Sequence, residues 1–186
     1  MNGTVNPMEV YFATSNKHKF AEACHILDMK LRRIDIDLEE IQEVSVRKVA
    51  IHKANIAYRK LRKPVIVEDT GLHLKGLNGF PGALVKWLIS NTGTGGVCRI
   101  ADRLKNREAY AETCVAFHDG RKVRAFTGRI YGTIAKNPSG KTGFGWDAIF
   151  IPKGYAETFA QMDMKRKSSI SMRGIAFRKL KKAMFQ

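Results

Sequence analysis

The spacing of apolar residues changes period several times along the chain, and each change marks an element. Val10–Ala13 is a short β-prone run that reads as a buried strand. Thr14–Asn16 interrupts it, and Lys17–Met29 carries Phe20, Ala23, Ile26 and Leu27 at helical spacing. Leu31–Leu38 partly alternates, at Ile34, Ile36 and Leu38, and predicts a strand. Ser45–Leu61 predicts a helix, and Pro64–Glu68 a second buried strand. A Gly/Pro-rich loop at Gly76–Gly82 precedes helical pieces at Leu84–Ser90 and Val97–Lys105. Tyr110–His118 and Lys122–Thr133 predict two strands joined at Asp119-Gly120, where glycine tolerates the positive φ of a tight turn. Asn137–Gly145 is another glycine-rich loop and Ala148–Ile151 a short strand. The chain after Met164 is largely helical, with Ala176, Leu180 and Ala183 on one face. Strands interleaved with helices, plus one hairpin, predict a mixed α/β (α+β) fold. Residues 1–186 are expected to form a single domain, with 1–7 a flexible N-terminal extension.

Composition narrows this picture. Hydrophobic residues make up 44% and charged residues 27% of 186, as in a soluble globular protein with a real core. No apolar run approaches the roughly 20 residues of a membrane span, and Met1–Pro7 lacks the pattern of a secretory signal. Cys24, Cys98 and Cys114 are scattered without a CxxC pair, so neither a zinc site nor a disulfide framework is indicated. A cytoplasmic protein is expected. The formal charge of +16 favours polyanions such as phosphorylated metabolites or nucleic acid. Much of the excess lies near the C-terminus, at Lys165, Arg166, Lys167, Arg173, Arg178, Lys179, Lys181 and Lys182.

Six segments carry candidate chemistry, and each also has a plain structural explanation. Thr14-Ser15-Asn16-Lys17-His18-Lys19 follows a strand and opens a helix, an arrangement suited to phosphate; an ordinary Ser/Asn cap looks the same. Val65-Ile66-Val67-Glu68-Asp69-Thr70-Gly71 ends an apolar strand on two acids. Such carboxylates suit Mg²⁺ or activation of water, and neighbours in a strand point to opposite faces. Leu38-Glu39-Glu40-Ile41-Gln42-Glu43 clusters three acids, either a second metal ligand or a solvated face. Gly143-Phe144-Gly145-Trp146-Asp147 offers aromatics that stack on a base, or simply a turn with core aromatics. Lys167–Gly174 supplies a lysine, hydroxyls and an arginine for phosphate or base contacts, or solvent-facing charge. Gly79-Phe80-Pro81-Gly82, followed by Lys86-Trp87, is a rigid loop edging a pocket or only a turn. Ala135–Thr142 matches a relaxed phosphate-loop pattern, but the sequence that follows favours strand over helix, which argues against a P-loop.

Taken in order, Thr14-Ser-Asn-x-x-Lys19, Glu40-Ile-Gln42, Val67-Glu-Asp-Thr-Gly-Leu72, Gly79-Phe-Pro-Gly82, Phe144-Gly-Trp-Asp147 and Lys167-x-x-x-Ser171-x-Arg173-Gly resemble the inosine triphosphate pyrophosphatase family. The match runs from Val10 to about Phe185. The resemblance implies a central twisted mixed sheet in an elongated, two-lobed molecule around a substrate cleft, and a homodimer. It implies Mg²⁺-dependent hydrolysis of non-canonical purine nucleoside triphosphates (ITP, dITP, XTP) to the monophosphate and pyrophosphate. Thr14, Ser15, Asn16, Lys17, His18 and Lys19 would hold the triphosphate. Asp69 would be the general base or metal ligand, with Glu40 a second metal ligand. Thr70, Lys53 and Lys86 would contact substrate. Phe144, Gly145, Trp146 and Asp147 would stack on and frame the base, with Lys167, Met172 and Arg173 nearby. Neither a membrane nor a stable nucleic-acid partner is expected. Two departures stand out. The family has Ser-His-Arg where this chain has Ser171-Met172-Arg173, and a proline where it has Ala148. A related enzyme with another base preference is the nearest alternative, and a basic nucleic-acid-binding module the more distant one.

Overall fold

The structure, a computed structural model, describes residues 9–184; the expected N-terminal extension at 1–7 lies outside them. The elements are β1 (Tyr11–Ala13), α1 (Lys17–Leu27), β2 (Arg32–Ile34), α2 (Val46–Leu61), β3 (Val65–Leu74), β4 (Pro81–Gly82), α3 (Val85–Arg103), β5 (Glu108–His118), β6 (Val123–Ile134), β7 (Phe150–Pro152), α4 (Met164–Ile170) and α5 (Met172–Met184). All strands join one mixed sheet in the order β2-β1-β3-β5-β6-β7, with β4 also on β3. β1 runs parallel to β2 and β3, and the remaining pairs are antiparallel.

The alternation of β3 organises the core. On one face Ile66 joins Val115 and Phe117 beneath α1 and α5, where Ala23, Leu27, Phe177 and Leu180 pack. Farther along that face Leu72 and Leu74 join a second cluster with Val97, Trp146, Phe150 and Phe159. Between the two clusters stand the polar residues Glu68 and Thr70. On the opposite face Val65, Val67, Cys114 and Ala116 pack under α2 through Val46, Ala50, Ala54 and Ala57. Small alanines let this helix sit close to the sheet, leaving Lys53 at its margin.

Two elements differ from the sequence expectation. The strand expected over 31–38 pairs only at Arg32–Ile34, because its partner β1 is itself three residues long; residues 35–44 then run on without regular structure. β3 extends past Glu68 to Leu74, since pairing with β5 continues through Thr70, Gly71 and His73. Gly71 is needed there: a Cβ would lie 2.6 Å from the Gly82 carbonyl carbon and 2.7 Å from Val46. The two helical pieces expected over 84–105 form as the two halves of α3, which breaks between them at Gly93, whose φ of 67° and ψ of 169° are not helical. The hairpin forms as expected, with Gly120 at φ 99°. After Gly140 comes a short 3-10 turn at Asp147–Ile149 and then β7, so the segment is not a P-loop.

One edge of β3 has two partial partners. β1 pairs with Val65 and Ile66, and β4 with Leu72 and His73. Residues 67–71 are left facing a notch in the sheet.

Candidate active site

The notch opens into a cavity of about 1150 Å³. The turn after β1 forms one wall with Thr14, Ser15, Asn16 and Lys19; residues 35–40, including Glu40, form another. Glu68 and Thr70 come from β3, Lys53 from α2, and Lys86 from the first turn of α3. Phe144, Gly145, Trp146 and Asp147 meet Met172 and Arg173 on the far side. Segments more than 150 residues apart in sequence thus converge on one space.

The turn acts as a helix cap beside the cavity. The Asn16 side chain accepts from the Lys19 amide at 3.0 Å, and the Asn16 amide donates to Thr14 Oγ1. This leaves the first free amides of α1 beside the cavity. Lys17 is exposed and does not line the cavity. His18 is also outside the lining, but its ring stacks on Phe144 with centroids 5.3 Å apart.

The adjacent acids Glu68 and Asp69 have opposite chemistry. Glu68 receives two bonds from Arg173 at 2.9 Å and one from Thr70 at 2.7 Å, with Lys19 at 3.4 Å. Burial pushes its carboxyl up, but Arg173 first, then Lys19, outweigh this and hold it at about 2. Asp69 is pushed by burial up to about 6, against the pull of Lys19 and Lys53. Its Oδ1 lies 3.7 Å from Lys53 Nζ, and its buried Oδ2 has no partner. Lys53 also donates to Glu40 at 2.7 Å. Burial raises the Glu40 carboxyl, and Lys53 more than reverses this. Glu68 is therefore a fixed anion, whereas Asp69 is a carboxylate poised near neutrality with a free oxygen.

Lys167 is buried behind the cavity, and Arg173 lines it while almost wholly buried. Lys167 donates to Asp147 at 2.7 Å and to Glu22 at 2.9 Å; Arg173 reaches the other Glu22 oxygen at 2.5 Å. Asp147 in turn accepts from the Phe144 amide at 2.8 Å, which fixes the aromatic turn. Glu22 is thus the link between the base-facing and acid-facing halves, and it was not among the expected site residues. One signal was available: it lies one turn from Lys19 and beside Ala23, on the apolar side of α1, where an acid needs a buried partner.

The cavity is not basic. Its lining offers four cationic side chains, Lys19, Lys53, Lys86 and Arg173, against six acids, Asp35, Asp37, Glu39, Glu40, Glu68 and Asp147. Among the described residues no cluster of three or more His, Cys, Asp or Glu is arranged to hold a metal. Glu40 and Asp69 are therefore two carboxylates without a third protein ligand. That is a common protein contribution for Mg²⁺, whose remaining positions go to water and phosphate.

Comparisons with known proteins agree with one another. A model of the Ham1 family matches residues 10–183. The chain is 37% identical over 174 residues to a dITP/XTP pyrophosphatase of Hyperthermus butylicus, covering 92% of each. It is 40% identical over 179 residues to an inosine triphosphate pyrophosphatase of Yarrowia lipolytica, covering 94% of each. The structure of a HAM1 protein from Coxiella burnetii superposes with a TM-score of 0.83 at 27% identity, over 96% of this chain and 98% of that one.

Proposed function

The chain belongs to the Ham1 family, and on that premise we propose that it hydrolyses non-canonical purine nucleoside triphosphates such as ITP, dITP and XTP to the monophosphate and pyrophosphate. The observation that carries this is a poised carboxylate, Asp69, bridged by Lys53 to Glu40, which lines the same cavity as the amide-rich turn 14–19; Asp69 itself lies just behind that lining. The triphosphate lies along Thr14, Ser15, Asn16 and Lys19, with Lys53 and Lys86 beside it. The purine lies against Phe144, Gly145 and Trp146, whose turn Asp147 and Lys167 brace. A divalent ion, Mg²⁺, suits Glu40 and the orphaned Asp69 oxygen; when bound it neutralises phosphate charge and activates water. Asp69, ionised above about pH 6, accepts the proton of a water directed at the phosphorus next to the nucleoside. Lys19 and Lys53 offset the charge that develops on the leaving pyrophosphate. Glu68 and Arg173 hold Thr70 and Lys19 in place without titrating.

Met172 supports a second reading of base choice. It is fully buried, lines the cavity and packs with Trp146, and its thioether is a weak acceptor that cannot donate to a 6-oxo group. A related enzyme with weaker discrimination against adenine is consistent with that. A nucleic-acid module is disfavoured by the Ham1 family match, which spans residues 10–183. The test is turnover of ITP, dITP, XTP, GTP and ATP with Mg²⁺, scored for product. Pyrophosphate from the deaminated purines is expected. Orthophosphate as the first product rules out the cleavage position.

We further propose a cytoplasmic homodimer. Where α2 ends its cover of the sheet, Arg129 and Tyr131 on β6 are exposed. His73 stacks on Tyr110 at 4.2 Å, and Tyr110 lies 5.9 Å from Tyr131, itself 49% exposed. The same face carries Arg129 paired with Glu112. Aromatics and charges of both signs suit an isologous contact with a second copy.

A further inference from the structure

Two lysines of the cavity are held by its acids. Lys53 Nζ lies 2.7 Å from Glu40 Oε1 and 3.7 Å from Asp69 Oδ1, so one ammonium bridges the two carboxylates assigned above to the metal. Lys19 pairs with Glu68, but Glu68 keeps Arg173 if Lys19 leaves. Glu40 and Asp69 have no such second partner: among the described residues, Lys53 makes the only ion pair to either. Lys86 lines the same cavity without contacting them.

We propose that Lys53 is a displaceable internal counter-ion, holding Glu40 and Asp69 together in the free enzyme and ceding that place to the divalent ion as it turns to the triphosphate. This rests on the metal-dependent activity proposed above, and it gives Lys53 a role before substrate arrives. A lysine is fitted to it. Its ammonium is a point charge with rotatable donors on a flexible stem, whereas an arginine fork binds one geometry. Metal alone must expel Lys53 without offering it a new partner. Triphosphate alone must draw Lys53 from two carboxylates that would then repel each other. Arriving together, they exchange ion pairs with no charge left unpaired, so each raises the other's affinity.

The test uses Mn²⁺ as probe, titrated into the full chain without nucleotide, with free Mn²⁺ read by electron paramagnetic resonance. Lys53→Met is expected to bind Mn²⁺ at least about tenfold more tightly than wild type, since a charge in contact is removed. Lys86→Met, which removes a charge of the same cavity at longer range, is expected to gain less than about threefold. Inorganic triphosphate should raise Mn²⁺ affinity in wild type and do so less in Lys53→Met. Should Lys53→Met fail to fold, Lys53→Gln carries the same expectation. No gain on loss of Lys53, including no detectable binding, overturns the proposal, as does an equal gain in Lys86→Met. Wild type that releases pyrophosphate from ITP while Lys53→Met gains nothing would sink this inference alone; wild type without such turnover would sink the activity itself.

Discussion

At the scale of residues, the adjacent acids show how burial and neighbours divide two like groups. Asp69 is raised from an ordinary 3.8 to about 6, so the folded state holds its proton more tightly than the unfolded chain does. Its ionisation leaves stability untouched below pH 3.8, opposes folding progressively from there to 6, and costs about 3 kcal/mol above that. The groups responsible are burial, opposed by Lys19 and Lys53 and aided by Glu40 and Glu68. Glu68 has the opposite sign: held at about 2, it supports folding above pH 4.5 and loses that contribution as pH falls toward 2. Asp69→Asn should therefore reduce turnover at least a hundredfold, by about the value of a general base, yet melt a few degrees higher than wild type at pH 8 with metal chelated. A variant both active and unstable would contradict both roles. Sequence placed the two acids on opposite faces of the strand, and the resemblance singled out Asp69; the structure puts Glu68 in the cavity lining. Sequence could not name the partners that separate them, because Arg173 and Lys53 reach these acids only through the fold. Glu22 escaped notice for the same reason: its partners lie 145 and 151 residues away.

At the scale of elements, α5 sets the floor of the cavity, and Gly128 on β6 lets it do so. A Cβ at Gly128 would run into the Met172 carbonyl oxygen and lie 2.8 Å from the Ala176 amide nitrogen. Gly128→Ala should push the first turn of α5 off the sheet, moving Met172 and Arg173. Destabilisation of about 1–3 kcal/mol is expected for overpacking of this kind, together with loss of activity. Denaturant melts and turnover read the two effects, and a stable, fully active variant would show that the docking is not tight. Periodicity revealed α1 and α2 because each has one apolar face, and the Asp119-Gly120 turn marked the β5–β6 hairpin. Periodicity missed the second half of β3, where Gly71 and His73 break the pattern and pairing with β5 overrides propensity. It overextended β2, since only three partner residues exist in β1.

At the scale of the whole molecule, the +16 charge turns out to lie outside the site, and composition alone could not say so. Ordered motifs carried most of the cavity, since fourteen of the expected residues line it, among them Thr14, Lys53 and Arg173. The exposed aromatic edge at Tyr131, stacked through Tyr110 onto His73, left no mark in the sequence, where its residues read as ordinary strand positions. Tyr131→Glu should convert a dimer to monomers in sedimentation velocity while leaving the melting profile of the fold intact, because the side chain is exposed. A wild-type monomer, or an unaffected dimer, would place the contact elsewhere.

The gap between β1 and β4 gives the backbone a clock. Amides of residues 67–71 that face it lack the ladder partner that Val65, Ile66, Leu72 and His73 possess on that edge. Their deuterium uptake should be fast for the centre of a sheet and should slow when nucleotide fills the notch, while uptake by the paired strands stays unchanged. Occupancy of the cavity can thus be timed from the alternate peptide groups of 67–71 that face the notch, without chemistry and without a label.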